Sequence, residues 1–263
     1  MERRRPIRRR ERARFDFDDV VYGVHAIEEA LAAGERLRAI HVANDRKKDA
    51  AFRQFVSRAK ELDVPVRFED RSFFARLPFK AHQGVVALGA PFSYRTLHDV
   101  LRAPRRDGGP CLLVVLDHLT DPHNVGAIVR TAEAAGAGAL VLPERRSAGI
   151  NATVRKAAAG AASHLPIARV ANVADAIRVM KKSGIWIAGA DAGLAAVEMS
   201  RADMTVDLAL VIGAEGSGLS QLVKRECDYL VRVPIYGSVE SLNASVAFAL
   251  LAYEALRQRS RTH

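Results

Sequence analysis

From residue 111 onward the chain alternates short unbroken apolar runs with segments of helical period. The runs at 111–116, 138–142, 165–170, 185–190, 208–212 and 229–233 predict strands. They are short and apolar at nearly every position, the pattern of strands buried on both faces. Between them, 125–135, 151–159, 174–182, 219–224 and 244–257 predict helices. Strands alternating with helices imply an α/β fold built on a mostly parallel sheet. A smaller α/β unit precedes it over 19–90. There, a short strand or turn at Tyr22-Gly23 leads into a helix ending near Gly34, and 37–42, 65–68 and 84–90 predict strands. The segment 50–62 predicts a helix with Phe52, Phe55, Val56 and Leu62 on one face, and 71–77 a short one. Residues 91–110 hold three prolines and two glycines and predict a linker with one short helix at 97–101. The expected division is 19–90, a linker at 91–110, and 111–259.

Composition narrows the partners. In 263 residues, 49% hydrophobic, there is material for a full core, and the net charge of +10 calls for an anionic partner, with nucleic acid foremost. Residues 1–14 carry eight arginines and two glutamates. Such a stretch has too little apolar surface to fold alone, so 1–18 is expected to be a disordered arm that neutralises phosphates, or a merely solvated tail. Only two cysteines occur, Cys111 and Cys227, without metal-ligand spacing. They predict reduced thiols in a cytoplasmic protein, with no disulfide framework and no metal. No apolar run approaches a membrane span, and the N-terminus lacks the apolar core of a signal peptide.

Three stretches carry candidate chemistry, each at a strand–loop–helix junction. In 117–130, Asp117 closes a strand, Pro122 is expected to keep helix out of the loop, and Asn124 to cap the helix that follows. Gly126 allows close approach, and Arg130 can grip a phosphate bidentately. In 213–218, three glycines surround Glu215 at the end of the strand that contains Ile212. A dinucleotide fingerprint needs glycine where Glu215 stands, and a carboxylate there repels pyrophosphate. A ligand neutral or cationic at that point, such as S-adenosylmethionine, fits better. In 241–245, Ser241 or Asn243 caps the last long helix, or else presents polar groups to a ribose beside exposed helix N–H groups. Ligands of open α/β sheets bind beyond the carboxyl ends of the strands, so the two late loops are expected to wall one pocket.

Together Asn124-x-Gly126-x-x-x-Arg130, Gly213-x-Glu215-x-x-Gly218 and Ser241-Leu242-Asn243-x-Ser245-x-Ala247 resemble the three signatures of the TrmH-like branch of the SPOUT RNA 2′-O-ribose methyltransferases. Tyr22-Gly23-x-His25-Ala26 and Gln83-Gly84 resemble that family's N-terminal substrate-binding domain, and the closest likeness is to bacterial enzymes that methylate a guanosine of 23S ribosomal RNA. The resemblance implies a trefoil-knotted C-terminal domain beside a small N-terminal α/β RNA-binding domain. It also implies S-adenosylmethionine as cofactor, touched by Ile212, Gly213, Gly218, Val233 and Leu242, and a homodimer with the knots packed together and the RNA site near the interface. The apolar last helix, with Val246, Ala249, Leu250 and Tyr253, suits that packing, or else serves the core alone. The implied catalytic set is Asn124, Arg130, Glu215, Asn243 and Ser245. Arginine is a poor base because its pKa lies above about 12. Arg130 is therefore read as a phosphate clamp whose charge favours the developing alkoxide, and Glu215 as a partner of Arg130 or Asn243 and the best conventional base. Asn243 and Ser245 would position the ribose. Specificity is expected from the small domain, with Arg46, Lys47, Lys48, Arg53 and Arg58 available to the RNA backbone. Competing readings are a transfer RNA or resistance-type ribosomal RNA methyltransferase, and a non-catalytic RNA-binding or ribosome-assembly module.

Overall fold

The computed structural model describes residues 19–103 and 108–260. The arginine-rich arm read from 1–18 lies outside the described residues.

The small unit is a four-stranded sheet formed by β1 (Val20–Tyr22), β2 (Leu37–Ala43), β3 (Val66–Glu69) and β4 (Val85–Gly89) in the order β1-β4-β2-β3. Helices α1 (Val24–Ala32) and α2 (Ala50–Glu61) cover one face, and α3 (Arg71–Ala75) adds Phe74 to the other. Ile27, Ile40, Phe52, Phe55, Val85 and Ala87 form the main core. Phe52 and Phe55 are buried on α2 as expected. Leu62 is not: it lies beyond the helix end and is 47% exposed. Helical period stops being a guide to burial one residue past the last helical turn.

The large unit is a seven-stranded sheet: β5 (Leu112–Asp117), β6 (Ala139–Pro143), β7 (Ile167–Val170), β8 (Trp186–Ala190), β9 (Val197–Glu198), β10 (Leu208–Gly213) and β11 (Tyr229–Arg232). Its order is β7-β6-β5-β10-β8-β11-β9, and every pairing is parallel. One face packs on α5 (Pro122–Ala134), α6 (Ala152–Ala157) and α9 (Ala244–Arg259), the other on α4 (Leu97–Arg102), α7 (Val173–Lys182) and α8 (Gln221–Glu226). The alternation along β5 shows why: Leu112, Val114 and Leu116 join the first core, Leu113 and Val115 the second. The two-residue β9 left no signal in the apolar pattern.

One local expectation is overturned. Pro122 does not exclude helix; it opens α5, with Asp121 as the cap accepting from the His123 backbone N–H at 2.9 Å. Proline is well placed at the first helical position, where its missing N–H would have had no helical partner. Asn124 is thus inside the first turn, buried, and its side chain is free for another task.

The units are joined by contacts as well as by chain. The segment after β4 is docked rather than loose: Phe92 and Tyr94 pack on the large core, and Arg95 pairs with Ala168 beside β7. The Tyr94 hydroxyl accepts from the Ile150 N–H at 2.7 Å. Buried Arg155 on α6 pairs with Glu35 of the small unit, which also accepts from the Ser163 hydroxyl. His164 Nε2 lies 2.8 Å from Glu29, and Ala152 completes the outer core of the small sheet. No helix among the described residues is long and apolar enough to cross a membrane.

Candidate active site

β5 and β10 are central neighbours, in register so that Asp117 lies opposite Gly213. Residues 117–130 and 213–218 therefore start side by side at the carboxyl edge of the sheet. Fully buried Asp117 ties them together: Oδ2 accepts from the Ser220 N–H at 2.7 Å, and Oδ1 lies 2.5 Å from His118 Nδ1.

Residues 214–218 form a tight loop closed by two backbone bonds, Ala214 N–H to Gly218 O at 3.1 Å and Gly218 N–H to Ala214 O at 2.9 Å. Gly216 and Gly218 adopt φ of +78° and +64°, which favours glycine. Gly213 is required for another reason: a Cβ there would lie 2.5 Å from the Leu219 nitrogen and closer still to the Gly218 carbonyl. The folded-back loop presents Glu215.

Glu215 Oε1 accepts from Asn124 Nδ2 at 2.9 Å and from Asn243 Nδ2 at 2.5 Å, and Asn243 Nδ2 also donates to Asn124 Oδ1 at 2.8 Å. One side chain from each of the three stretches thus meets in a single network. Asn243 is also the cap of α9, its Oδ1 accepting from the Ser245 N–H at 2.9 Å, the Ser245 hydroxyl at 2.6 Å and the Val246 N–H at 3.3 Å. Asn243 therefore caps α9 with its oxygen, while its nitrogen is engaged by Glu215 and Asn124. Among the described residues Ser245 joins the network only through Asn243. Arg130 stands apart: it is exposed on α5 and makes no hydrogen bond or ion pair among the described residues. Glu215 orients Asn243, not Arg130. Gly126 serves helix packing rather than ligand approach, since a Cβ there would strike Ala157 and the Val154 carbonyl of α6.

Behind this network lies a cleft of about 310 Å³ beyond the carboxyl ends of β8, β10 and β11. Ile212, Gly213, Gly218, Val233 and Leu242 all line it. Sequence reasoning missed its far wall, Asp191 to Gly193. Lys224 donates to Asp191 Oδ2 at 2.5 Å, and the Gly193 N–H to Oδ1 at 2.8 Å. The Lys224 bond, with lesser help from the Gly193 amide, holds the Asp191 carboxyl below its ordinary range. The two glycines flanking Asp191 at a strand end were the available signal.

The lining suits a cofactor with apolar and hydroxyl-bearing parts and no phosphate. Its one arginine, Arg232, is engaged by Glu198 at 2.6 Å and the Ala196 carbonyl at 3.2 Å. Asp191 is likewise engaged, by Lys224, so the Glu215 carboxylate is the wall charge that favours a cation. No group of His, Cys, Asp and Glu among the described residues is arranged to hold a metal ion.

Comparison with known proteins agrees with this geometry. Residues 111–253 match the model of the SpoU rRNA methylase family, and residues 20–95 match the model described as RNA 2′-O ribose methyltransferase substrate binding. The chain is 41% identical over 242 residues to the putative TrmH family tRNA/rRNA methyltransferase YacO of Bacillus subtilis, covering 92% of this chain and 96% of that one. It is 42% identical to the uncharacterized tRNA/rRNA methyltransferase slr0955 of Synechocystis sp., a longer protein of which the match spans 63%. Among solved structures, the SpoU methyltransferase AviRb from Streptomyces viridochromogenes in complex with AdoMet superposes with a TM-score of 0.77 at 28% identity, covering 92% of this chain and 90% of that one. The chain belongs to the SpoU rRNA methylase family, a family of RNA methyltransferases that use S-adenosylmethionine.

Proposed function

We propose that this protein methylates the 2′-oxygen of a guanosine ribose in large-subunit ribosomal RNA. The observation that carries the reading is the Asn124–Glu215–Asn243 network, which joins three distant stretches over the cleft. Ile212, Gly213, Gly218, Val233 and Leu242 hold the cofactor, with Asp191 on the far wall. When bound, S-adenosylmethionine supplies a methyl group made electrophilic by its sulfonium.

The rest is the work of the chain's own residues. A ribose hydroxyl is a weak nucleophile and must lose its proton as it reacts. Glu215 is the group placed to take it: Oε1 is held by two asparagines, and Oε2 accepts no hydrogen bond among the described residues. Asn124 and Asn243 fix the carboxylate, and Ser245 fixes Asn243. Arg130, without a hydrogen-bond or ion-pair partner among the described residues, clamps a phosphate next to the target ribose, where its charge also favours the developing alkoxide. The small unit supplies RNA recognition, consistent with its match to the substrate-binding model.

We further propose a cytoplasmic homodimer with the knotted topology of the resembled family. Val246, Leu250 and Tyr253 on the outer face of α9 are 47%, 40% and 53% exposed, an apolar stripe that a second copy would cover. The test is incubation with methyl-labelled cofactor and separate ribosomal and transfer RNA, then mapping of the label. Label on a ribose of a large-subunit guanosine is expected. Label on transfer RNA alone refutes the substrate assignment, and no label on any RNA favours a non-catalytic binding module.

A further inference from the structure

We propose that the groove between α2 and edge strand β3 holds one unpaired nucleotide of the RNA, its base against Phe68 and its adjoining phosphates against Lys47, Arg53 and Lys60. This rests on the reading above that the chain acts on RNA, and names where the small unit grips it.

Among the described residues β3 pairs only with β2, and none of them pairs with its outer side. Beside it lies a groove of about 260 Å³ with an apolar floor that includes Phe52, Val56 and Phe68. Strand alternation turns Val66 and Phe68 toward α2, and Phe68 is left 39% exposed. Four cations rim the groove, the three named above and Arg46, and no carboxylate among the described residues lines it. Arg46 is partly engaged, 2.9 Å from Asp49 and 3.2 Å from the Gln83 carbonyl, with its guanidinium 4.7 Å from the Phe52 ring centre. It serves as a wall. Lys47, Arg53 and Lys60 have no ion-pair partner among the described residues, and Lys47 Nζ sits 4.6 Å over the Phe68 ring.

This combination selects a ligand that is flat and apolar at one end and anionic at the other. An exposed aromatic face flanked by unpaired cations is how single-stranded nucleic acid is held without reading a duplex. A stacked base is the stronger partner for Phe68 than a solvated ammonium, so Lys47 swings from the ring to a phosphate as the base enters.

The test uses the full chain and an RNA fragment it methylates. Phe68→Ala should weaken RNA binding about tenfold, the usual loss for one stacked base, and Phe68→Trp should restore it. Arg53→Ala with Lys60→Ala should flatten the salt dependence of log K by about 0.7 for each phosphate no longer neutralised. Cofactor affinity and Tm should stay at wild-type values throughout. Wild-type RNA affinity in Phe68→Ala, or weaker binding in the charge variants alone, overturns the nucleotide groove and leaves at most a basic surface. A fall in Tm or cofactor affinity along with RNA binding overturns it as a structural effect. If the unaltered chain binds and methylates no RNA, the functional reading fails and the groove with it. If it methylates RNA and every variant keeps the wild-type KM, only the groove fails.

Discussion

Adding one methyl group at Gly213 tests whether the folded-back loop is what shapes both cleft and network. In Gly213→Ala the new Cβ lies 2.5 Å from the Leu219 nitrogen and nearer still to the Gly218 carbonyl, all of it backbone. No side chain can swing away, so the 214–218 loop must lift. Overpacking of this kind costs about 1–3 kcal/mol, and for a chain of this size about 2–4 °C of Tm per kcal/mol. The functional loss should exceed the thermal one. The loop lines the cleft and carries Glu215, and a displacement of about 1 Å in a reacting group costs on the order of 100-fold in rate. Gly237→Ala is the matched control: it lies near the cleft between Ile235 and Ser241, has ordinary φ, and its Cβ would meet nothing within 4 Å. Calorimetric binding of S-adenosylmethionine, Tm and methyl transfer should be measured on both variants. Gly213→Ala should lose several degrees, most of its cofactor affinity and nearly all activity, while Gly237→Ala should match wild type. Wild-type cofactor affinity in Gly213→Ala would refute the claim that this loop forms the cleft.

Other predictions follow from the same geometry. Asn124→Ala strips a hydrogen-bond donor from Glu215 and an acceptor from Asn243 at a buried position, and should cost about 1–3 kcal/mol of stability with a fall of kcat well beyond any change in KM; a kcat within twofold of wild type would count against the network. Arg130→Lys keeps the charge and loses the fork, so RNA KM and turnover should both suffer while Tm stays put, because Arg130 is exposed and bonds to no other described residue; near-normal turnover would remove the bidentate clamp. The carboxyl of Asp191 is held low by Lys224. A depressed folded-state pKa gives stability that is complete above the unfolded value, about 3.9, and lost as pH falls through the folded one. The Tm gap between wild type and Lys224→Met should thus be steady near neutrality and close below about pH 4; a gap unchanged at pH 3 would show the pair is not its source. Burial pushes the Cys227 thiol up to about 12, so it should resist iodoacetamide at pH 8 until the chain is unfolded.

The large sheet was legible because parallel strands buried on both faces leave unbroken apolar runs, and six of its seven strands did so. β9, two residues long with Val197 41% exposed, buries too little to leave one. The error at Pro122 came from reading proline only as a breaker. Asp121-Pro122 also matches a cap followed by the first helical position, and that alternative releases Asn124 from capping. The cofactor-lining residues were legible as motif neighbours, whereas Asp191 and Lys224 were not. They lie 33 residues apart and belong to none of the three stretches. Leu62 shows the opposite failure, a residue in phase with a buried face but beyond the end of the helix that has it.

The site's position follows from the order of the sheet more than from any motif. After β5 the chain adds β6 and β7 on one side; it then crosses to lay down β8 and later inserts β10 between β8 and β5. The direction of growth reverses at β5 and β10, which sets the loops that follow these two strands side by side at the carboxyl edge of the sheet. Because β10 lies at the centre of the sheet, its closing loop is flanked on both sides. Asn124 on α5 stands at one side, and the chain leaving β11 supplies Asn243 at the other. A carboxylate at position 215 then meets both without any long side chain, which is why two asparagines and a glutamate suffice. Moving the carboxylate by one methylene should therefore be costly: Glu215→Asp keeps the charge but falls short of both amides. Its activity should drop nearly as far as that of Glu215→Gln, while Glu215→Asp, which keeps the charge, keeps cofactor affinity. Activity in Glu215→Asp close to wild type would mean that charge alone, and not the three-way geometry, is what the reaction uses.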